Sequence, residues 1–428
     1  MSEVYGNAVL NIAATHAKDG SAGLFHTRKP RKMSREFFRV TGSDVNWEIS
    51  GQMQSDEIER LLGQSPLNQR GWAFQERLLA KRTLHFTTEQ ILFECRGYMI
   101  SELHQIYHNT DAGYFPKHLF MSNWKFIVAE YSKRYLSRSE DKLVALSGIA
   151  RFLQQKLDGQ FSAGLWNGDL AKEIMWSCYE NENPPQLYRL DPIPYRAPTW
   201  SWAATDFPIN FDWTVLALGS LLGEEVDLKA VRDYHPLEPI LIHDLAATCV
   251  PLGADPLGQI QYAELRLKCR PLLDRQMLLS RYPTRVRVRY DDLKLGVADQ
   301  VVRDELFFGL AHQLYKLPEG YKSQAERHNE IPPVLEAVGF GDSPPNRDYH
   351  DMSMFISGII VKPVGQTKRG YFTRLGVFAI GLSLSEYEKW RYSLAATDNI
   401  EDAANEALYE FSLGLGEDGI KQYTIVIL

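Results

Sequence analysis

One stretch, Arg70 to Cys95 (RGWAFQERLLAKRTLHFTTEQILFEC), commits the chain to a helix that turns directly into a β-hairpin. Trp72, Phe74, Leu78 and Leu79 supply the apolar side of an amphipathic helix. Leu84 and Phe86, then Ile91, Phe93 and Cys95, continue the apolar series at alternate positions of two strands. Between these large side chains sit Arg70, Gln75, Glu76 and Arg77. Such a polar set either ties the helix to the sheet as a buried network or forms the polar wall of a pocket. Arg and Glu beside a core are more often paired for packing, so Glu76 is expected to pair an arginine inside the fold.

The same block resembles the last conserved region of the fungal heterokaryon incompatibility (HET) domain. There an arginine, a tryptophan and a glutamine followed by glutamate precede a short strand that ends near a cysteine, positions matched here by Arg70, Trp72, Gln75, Glu76 and Cys95. Met1–Phe25 is similar to the segment in which a methionine starts a helix, here carrying Tyr5 and Ala8, and a strand follows at Ile12, Ala13 and Ala14. Two regions that come earlier in complete members have no counterpart, and the chain is therefore expected to begin partway through the domain. The resemblance continues in patches: Trp124, Tyr131, Arg134, Asp141 and Lys142; then Phe161–Trp176; then Arg196–Asp206; and a late hairpin with Arg374 and Gly376.

Taken in order, Ser34–Val40 and Asp56–Leu62 read as helices, with Leu61 and Leu62 closing against Trp72. Trp124–Leu157 reads as two helices hinged at Leu136–Ser139, the second capped by Ser139. Trp124, Ile127, Val128 and Tyr131 form one core stripe, and Leu143, Leu146, Ile149 and Leu153 another. In Thr199–Ala203 the rings of Trp200 and Trp202 fall on one face of a short strand, where they either close a core or line a cavity.

Beyond residue 215 the period changes to two. Leu265, Leu267 and Cys269 alternate with Glu264, Arg266 and Lys268, and Arg285, Arg287 and Arg289 form the outer row of a further strand. A hairpin is predicted from Phe355–Pro363 and Tyr371–Ile380, a closing strand from Tyr423–Leu428, and an irregular span from Lys316–Arg347. The fold class is α+β or mixed α/β: an incomplete HET-like α/β portion at residues 1–115, a helical segment at 116–183, and a mostly antiparallel β-rich domain at 184–428.

A formal charge of −7 argues against a nucleic-acid partner, since phosphate neutralisation asks for a basic surface. Four scattered cysteines fit reduced thiols, and no apolar run is long enough to span a bilayer, so a cytoplasmic protein is expected. His104 and His108 stand one helical turn apart but lack further ligands. With no phosphate-cradling or nucleophile-elbow motif either, no metal and no cofactor is expected.

Two functional classes follow. One is a cofactor-independent enzyme of fungal specialised metabolism, a cyclase or pericyclase of Diels–Alder type that folds a small apolar polyketide or terpenoid substrate. Nine tryptophans, 21 tyrosines and 20 phenylalanines would wall such a cavity. Arg70, Gln75 and Asp206 would be catalytic there, and Trp72, Trp200 and Trp202 would bind substrate. The alternative is what the resemblance implies: an effector of nonself recognition and cell death whose N-terminal domain is similar to TIR domains, some of which cleave NAD. A noncatalytic scaffold is a further possibility, and the oligomeric state is left open.

Overall fold

Helix α1 (Ser2–Asn7) and strand β1 (Asn11–Ala13) open the chain in the computed structural model. The structure describes residues 2–27, 59–102, 123–157, 159–178, 195–211, 242–269, 286–290, 308–316, 354–364, 369–382, 385, 411–415 and 421–428. The helix expected at Ser34–Val40, the histidines His104 and His108, Arg285 and nearly all of the span Lys316–Arg347 lie outside these residues.

Helix α2 (Gly71–Leu79) runs into β2 (Arg82–Phe86), β3 (Ile91–Cys95) and β4 (Met99–Ser101), the helix-to-hairpin order that the sequence periodicity predicts. Gly71 starts the helix where space is short, since a Cβ there would stand 2.6 Å from Leu136 Cδ2. Ala80 ends it in an extended conformation, its N–H still reaching Glu76 O. The four strands form one sheet in the order β1-β2-β3-β4, with β1 parallel to β2 and the other pairs antiparallel.

Helices α3 (Trp124–Ser132) and α4 (Val144–Leu153) bury the two predicted stripes. Asn123 caps α3 by accepting from Phe126 N–H. Ser139 does not cap α4. It lies in a 3₁₀ turn (Ser139–Asp141), and α4 starts after Leu143 with no side-chain cap. The Tyr131 hydroxyl donates to Lys142 O at 2.8 Å, which fixes the approach to α4 without one. Gly148 lets α4 close on α2: the Gln75 amide oxygen accepts its N–H at 2.7 Å, and a Cβ there would lie 2.5 Å from that oxygen.

Residues Met1–Leu157 with Leu257–Gln259 cluster as one compact unit, and Asp158–Pro256 with Ile260–Leu428 as a second. The division falls within the stretch 116–183, whose described part beyond it opens on a hairpin. Phe161–Ser162 (β5) and Leu165–Trp166 (β6) form a tight hairpin. Its turn residues Ala163 and Gly164 have φ of 48° and 97°, the left-handed pair that a two-residue hairpin requires. A single helical turn, α5 (Leu170–Glu173), follows, and β7 (Ser177–Cys178) pairs with β8 (Ile209–Asn210). Thr199–Ala203 does not form the expected strand. Ser201 N–H bonds to Pro198 O, and the Ser201 hydroxyl accepts from Ala203 N–H, which folds the segment into a 3₁₀ turn at Trp202–Ala204.

The rest of the second unit is a mostly antiparallel sheet: β9 (His243–Pro251), β10 (Ile260–Cys269), β11 (Val286–Tyr290), β12 (Phe308–Lys316), β13 (Met354–Pro363), β14 (Tyr371–Leu382), β15 (Phe411–Leu415) and β16 (Lys421–Ile427). Its order is β12-β13-β14-β16-β10-β9, with β11 also on β14 and β15 on β16. Among the described residues the sheet's one parallel pairing, β14 with β16, spans only Tyr371 and Phe372 against Val426 and Ile427. Leu265, Leu267 and Cys269 are buried, as their alternation predicts, and the apolar β16 lies inside the sheet. The whole is an α+β fold.

Candidate functional site: a buried ionic relay

The hairpin does not bury the face that its apolar residues mark. Leu84, Phe86, Ile91, Phe93 and Cys95 are only half-buried, whereas the alternate positions Thr83, His85 and Glu94 are enclosed together with Leu92. Because side chains alternate across a strand, this choice of face places an imidazole and a carboxylate inside the unit. Both have partners. His85 Nε2 lies 3.0 Å from Glu94 Oε2, and Arg77, in the last turn of α2, closes a two-pronged pair on the same carboxylate, Nε at 2.9 Å and Nη2 at 2.8 Å. On the other side His85 Nδ1 lies 3.1 Å from Thr15 Oγ1, just beyond β1, and that hydroxyl also lies 3.3 Å from Ala13 O.

Glu94 only accepts while ionised, so His85 Nε2 carries a proton toward it, while the one proton of the Thr15 hydroxyl is shared between Ala13 O, which can only accept, and the side of His85 Nδ1. Hydroxyl, imidazole and carboxylate then stand in the order that activates a nucleophile. Two features set this relay apart from a working triad: Thr15 is 0% exposed, and the carboxylate is already engaged by a guanidinium. In the described state the relay clasps four segments, the end of β1, the end of α2, β2 and β3, through one charge cluster. Removing one member of such a cluster strands the others in a poorly solvating interior.

Glu76 plays a different part from the one expected. Its partner is the Tyr5 phenol of α1. Burial, then the Glu76 charge and the hydrogen bond to it, raise the Tyr5 pKa above its ordinary value. The inward carboxylate that holds an arginine is Glu94, and its arginine is Arg77.

The six residues expected to form a substrate site divide between the two units. In the first, Arg70 is the exposed residue before α2, tied through its backbone to Tyr135. Trp72 is partly buried and its Nε1 donates to Asp141 Oδ2 at 3.3 Å. Gln75 is enclosed against Gly148.

In the second unit, Asp206 lies 2.6 Å from Arg196 Nη1, an ion pair without hydrogen-bond alignment, while Arg196 Nε donates to Ala203 O. Trp200 and Trp202 are both 0% exposed. Trp202 Nε1 donates to Gly164 O and Ser201 Oγ to Ala163 O, which locks the β5–β6 turn. Trp176 Nε1 donates to Trp200 O, and the Arg374 guanidinium stacks 3.8 Å over the Trp176 ring while donating to Ile174 O and Trp176 O. Three of the sequence patches, Phe161–Trp176, Arg196–Asp206 and the late hairpin with Arg374, thus meet in one aromatic core.

Sequence reasoning missed Thr15, His85 and Glu94. The available signal was the row of polar residues at alternate positions opposite the apolar one. Among the described residues no group of three or more His, Cys, Asp or Glu is placed to hold a metal. Among them, too, no helix is long and apolar enough to cross a membrane.

An N-terminal α/β unit clasped by a buried relay, in a chain with a large β-sheet unit, is the class of protein that these observations define. Over residues 1–76 the chain matches the family model described as heterokaryon incompatibility protein (HET). No curated protein and no solved structure matches it. The match supports the incompatibility alternative. It lends nothing to a cyclase, a Diels–Alder-type activity or a role in biosynthesis.

Proposed function

We propose that this chain acts as a heterokaryon-incompatibility effector, a protein whose activity in a fungal cell arrests growth or kills. The family match over residues 1–76 carries the reading. The matched stretch includes Thr15 and most of α2, so it ends one residue short of Arg77 and contributes one end of the relay. The relay gives such an effector a well-defined N-terminal unit whose segments hold or release together, which suits a protein that must be silent until engaged.

The test is inducible expression of the full chain in a filamentous fungus, with viability staining and colony growth followed against protein level. Growth arrest or death is expected from the wild type, and its loss from Glu94→Ala. Normal growth of cells that accumulate the wild-type chain, both alone and in fusions with strains of differing incompatibility type, would falsify the effector reading.

A further inference from the structure

The outer face of the four-stranded sheet, opposite the relay, is one apolar surface. The strand registers set Ile12 beside Leu84, Leu84 beside Phe93 and Phe93 beside Ile100, so a single apolar row crosses all four strands. One step toward the hairpin turn, Phe86 and Ile91 stand opposite each other on the same face, and Phe25 meets Phe86 edge-on with ring centroids 5.6 Å apart. This face is open: Ile12 is 56% and Phe25 81% exposed, and Leu84, Phe86, Ile91, Phe93 and Ile100 are only half-buried. A contiguous apolar surface of this kind marks a place where another body packs.

The charges at its two ends specify the body. Arg82 is exposed on this face at the end away from the hairpin turn, opposite Cys95, and the neighbouring Lys81 and Arg96 are exposed as well. At the turn end stands Glu102, two residues past Ile100, whose carboxylate accepts Ile91 N–H at 2.7 Å, and Glu89 lies in the turn itself. The face is therefore basic at one end, apolar across its middle and acidic at the other, which makes it complementary to itself. Two such faces stacked with their strands running in opposite directions set each basic end on an acidic end. Stacked with their strands in the same direction, they would set like charge on like, which costs several kcal/mol. The favourable arrangement is a two-fold one, in which the same patch serves both copies, and it is an aligned sheet-on-sheet packing.

We infer that the outer face of this sheet is a self-association surface, on which two copies of the chain pack sheet against sheet about a two-fold axis, the Arg82 end of each meeting the Glu102 end of the other. This goes beyond the incompatibility reading and does not depend on it.

Sedimentation velocity of the full chain between about 1 and 100 μM tests the inference. A dimer that grows with concentration is expected. Ile12→Glu, which places a charge in the apolar row at an exposed position, should weaken it at least about 10-fold and leave the melting temperature of the monomer unchanged. Arg82→Glu and Glu102→Arg should each weaken it at least about 3-fold, because each variant has two ends of one sign. An equimolar mixture of these two variants should recover the dimer, since every end of one then meets its opposite on the other. The inference is overturned if the wild type is monomeric at about 100 μM, if Ile12→Glu associates as the wild type does, or if the mixture associates no better than either variant alone. A wild type that stays monomeric but sediments with phosphatidylserine vesicles gives the face to a membrane, and overturns the inference as well. Should Ile12→Glu not fold, the mixture decides the question.

Discussion

The sheets of the two units enclose opposite kinds of face. In the first, a four-stranded sheet encloses Thr83, His85 and Glu94 and leaves the apolar row of its hairpin half-open. In the second, an eight-stranded sheet encloses the apolar row of β10 and most of β16, and its neighbouring core is built on Trp176, Trp200 and Trp202. An apolar interior is non-directional and tolerates adjustment, whereas a charge cluster holds only in one geometry. A single substitution in the charge cluster therefore strands its partners, whereas one in the aromatic core leaves a cavity.

The largest expected effects test that contrast directly. Trp202→Ala should destabilise the second unit by about 3–5 kcal/mol, through lost burial and the freed β5–β6 turn. Glu94→Ala should cost the first unit a similar amount, about 3–5 kcal/mol, by stranding Arg77 and His85. Hydrogen exchange read separately on peptides of each unit gives both values. The two interiors part when the whole cluster is replaced. Arg77→Met, His85→Leu and Glu94→Leu together should recover most of the loss, since apolar packing often equals or exceeds a buried ion cluster. A triple variant no more stable than Glu94→Ala would show that the inward face is not held by charge.

A smaller effect is expected at the contact of α4 with α2. Gly148→Ala drives a methyl group into the Gln75 amide oxygen and the Ser2 side chain, and should cost about 1–3 kcal/mol in chemical denaturation. If Gly148→Ala matches the wild type within about 0.5 kcal/mol, the close approach is not required.

The smallest effect is a pH slope from Tyr5. Its pKa is raised in the fold, so the protonated phenol is favoured there. That contribution is complete below the ordinary tyrosine value of 10.0 and is lost as pH rises through the folded value. Wild-type stability should therefore fall more steeply than that of Tyr5→Phe between about pH 9 and 11, as read from urea midpoints. Parallel curves would remove the Tyr5–Glu76 bond as a source of stability.

What the residues declare locally was legible. Helix α2 and its hairpin, the stripes of α3 and α4, the alternation of β10, and the pairing of β13 with β14 all follow from periods of 3.6 and 2 within a short window. Of the site, Gln75 and the inward arginine of α2 were visible as polar residues in an apolar setting, but the partner carboxylate was misplaced onto Glu76.

The remainder turns on contacts between distant residues, which periodicity does not carry. An alternating strand states that it has two faces, and the tertiary structure chooses which one is enclosed. In the first hairpin that choice came from the parallel pairing of β1 with β2, which brings Thr15 to His85 across 70 residues, and from the reach of Arg77 to Glu94. Likewise Trp200 and Trp202 advertised a large apolar surface, but only the turn closed by Ser201, and the arrival of Arg374 on Trp176, turned it into a filled core. The sequence by itself determined the elements and the HET-type character of residues 1–76. The tertiary structure decided which polar groups are buried, because burial depends on what arrives from elsewhere in the chain to satisfy them.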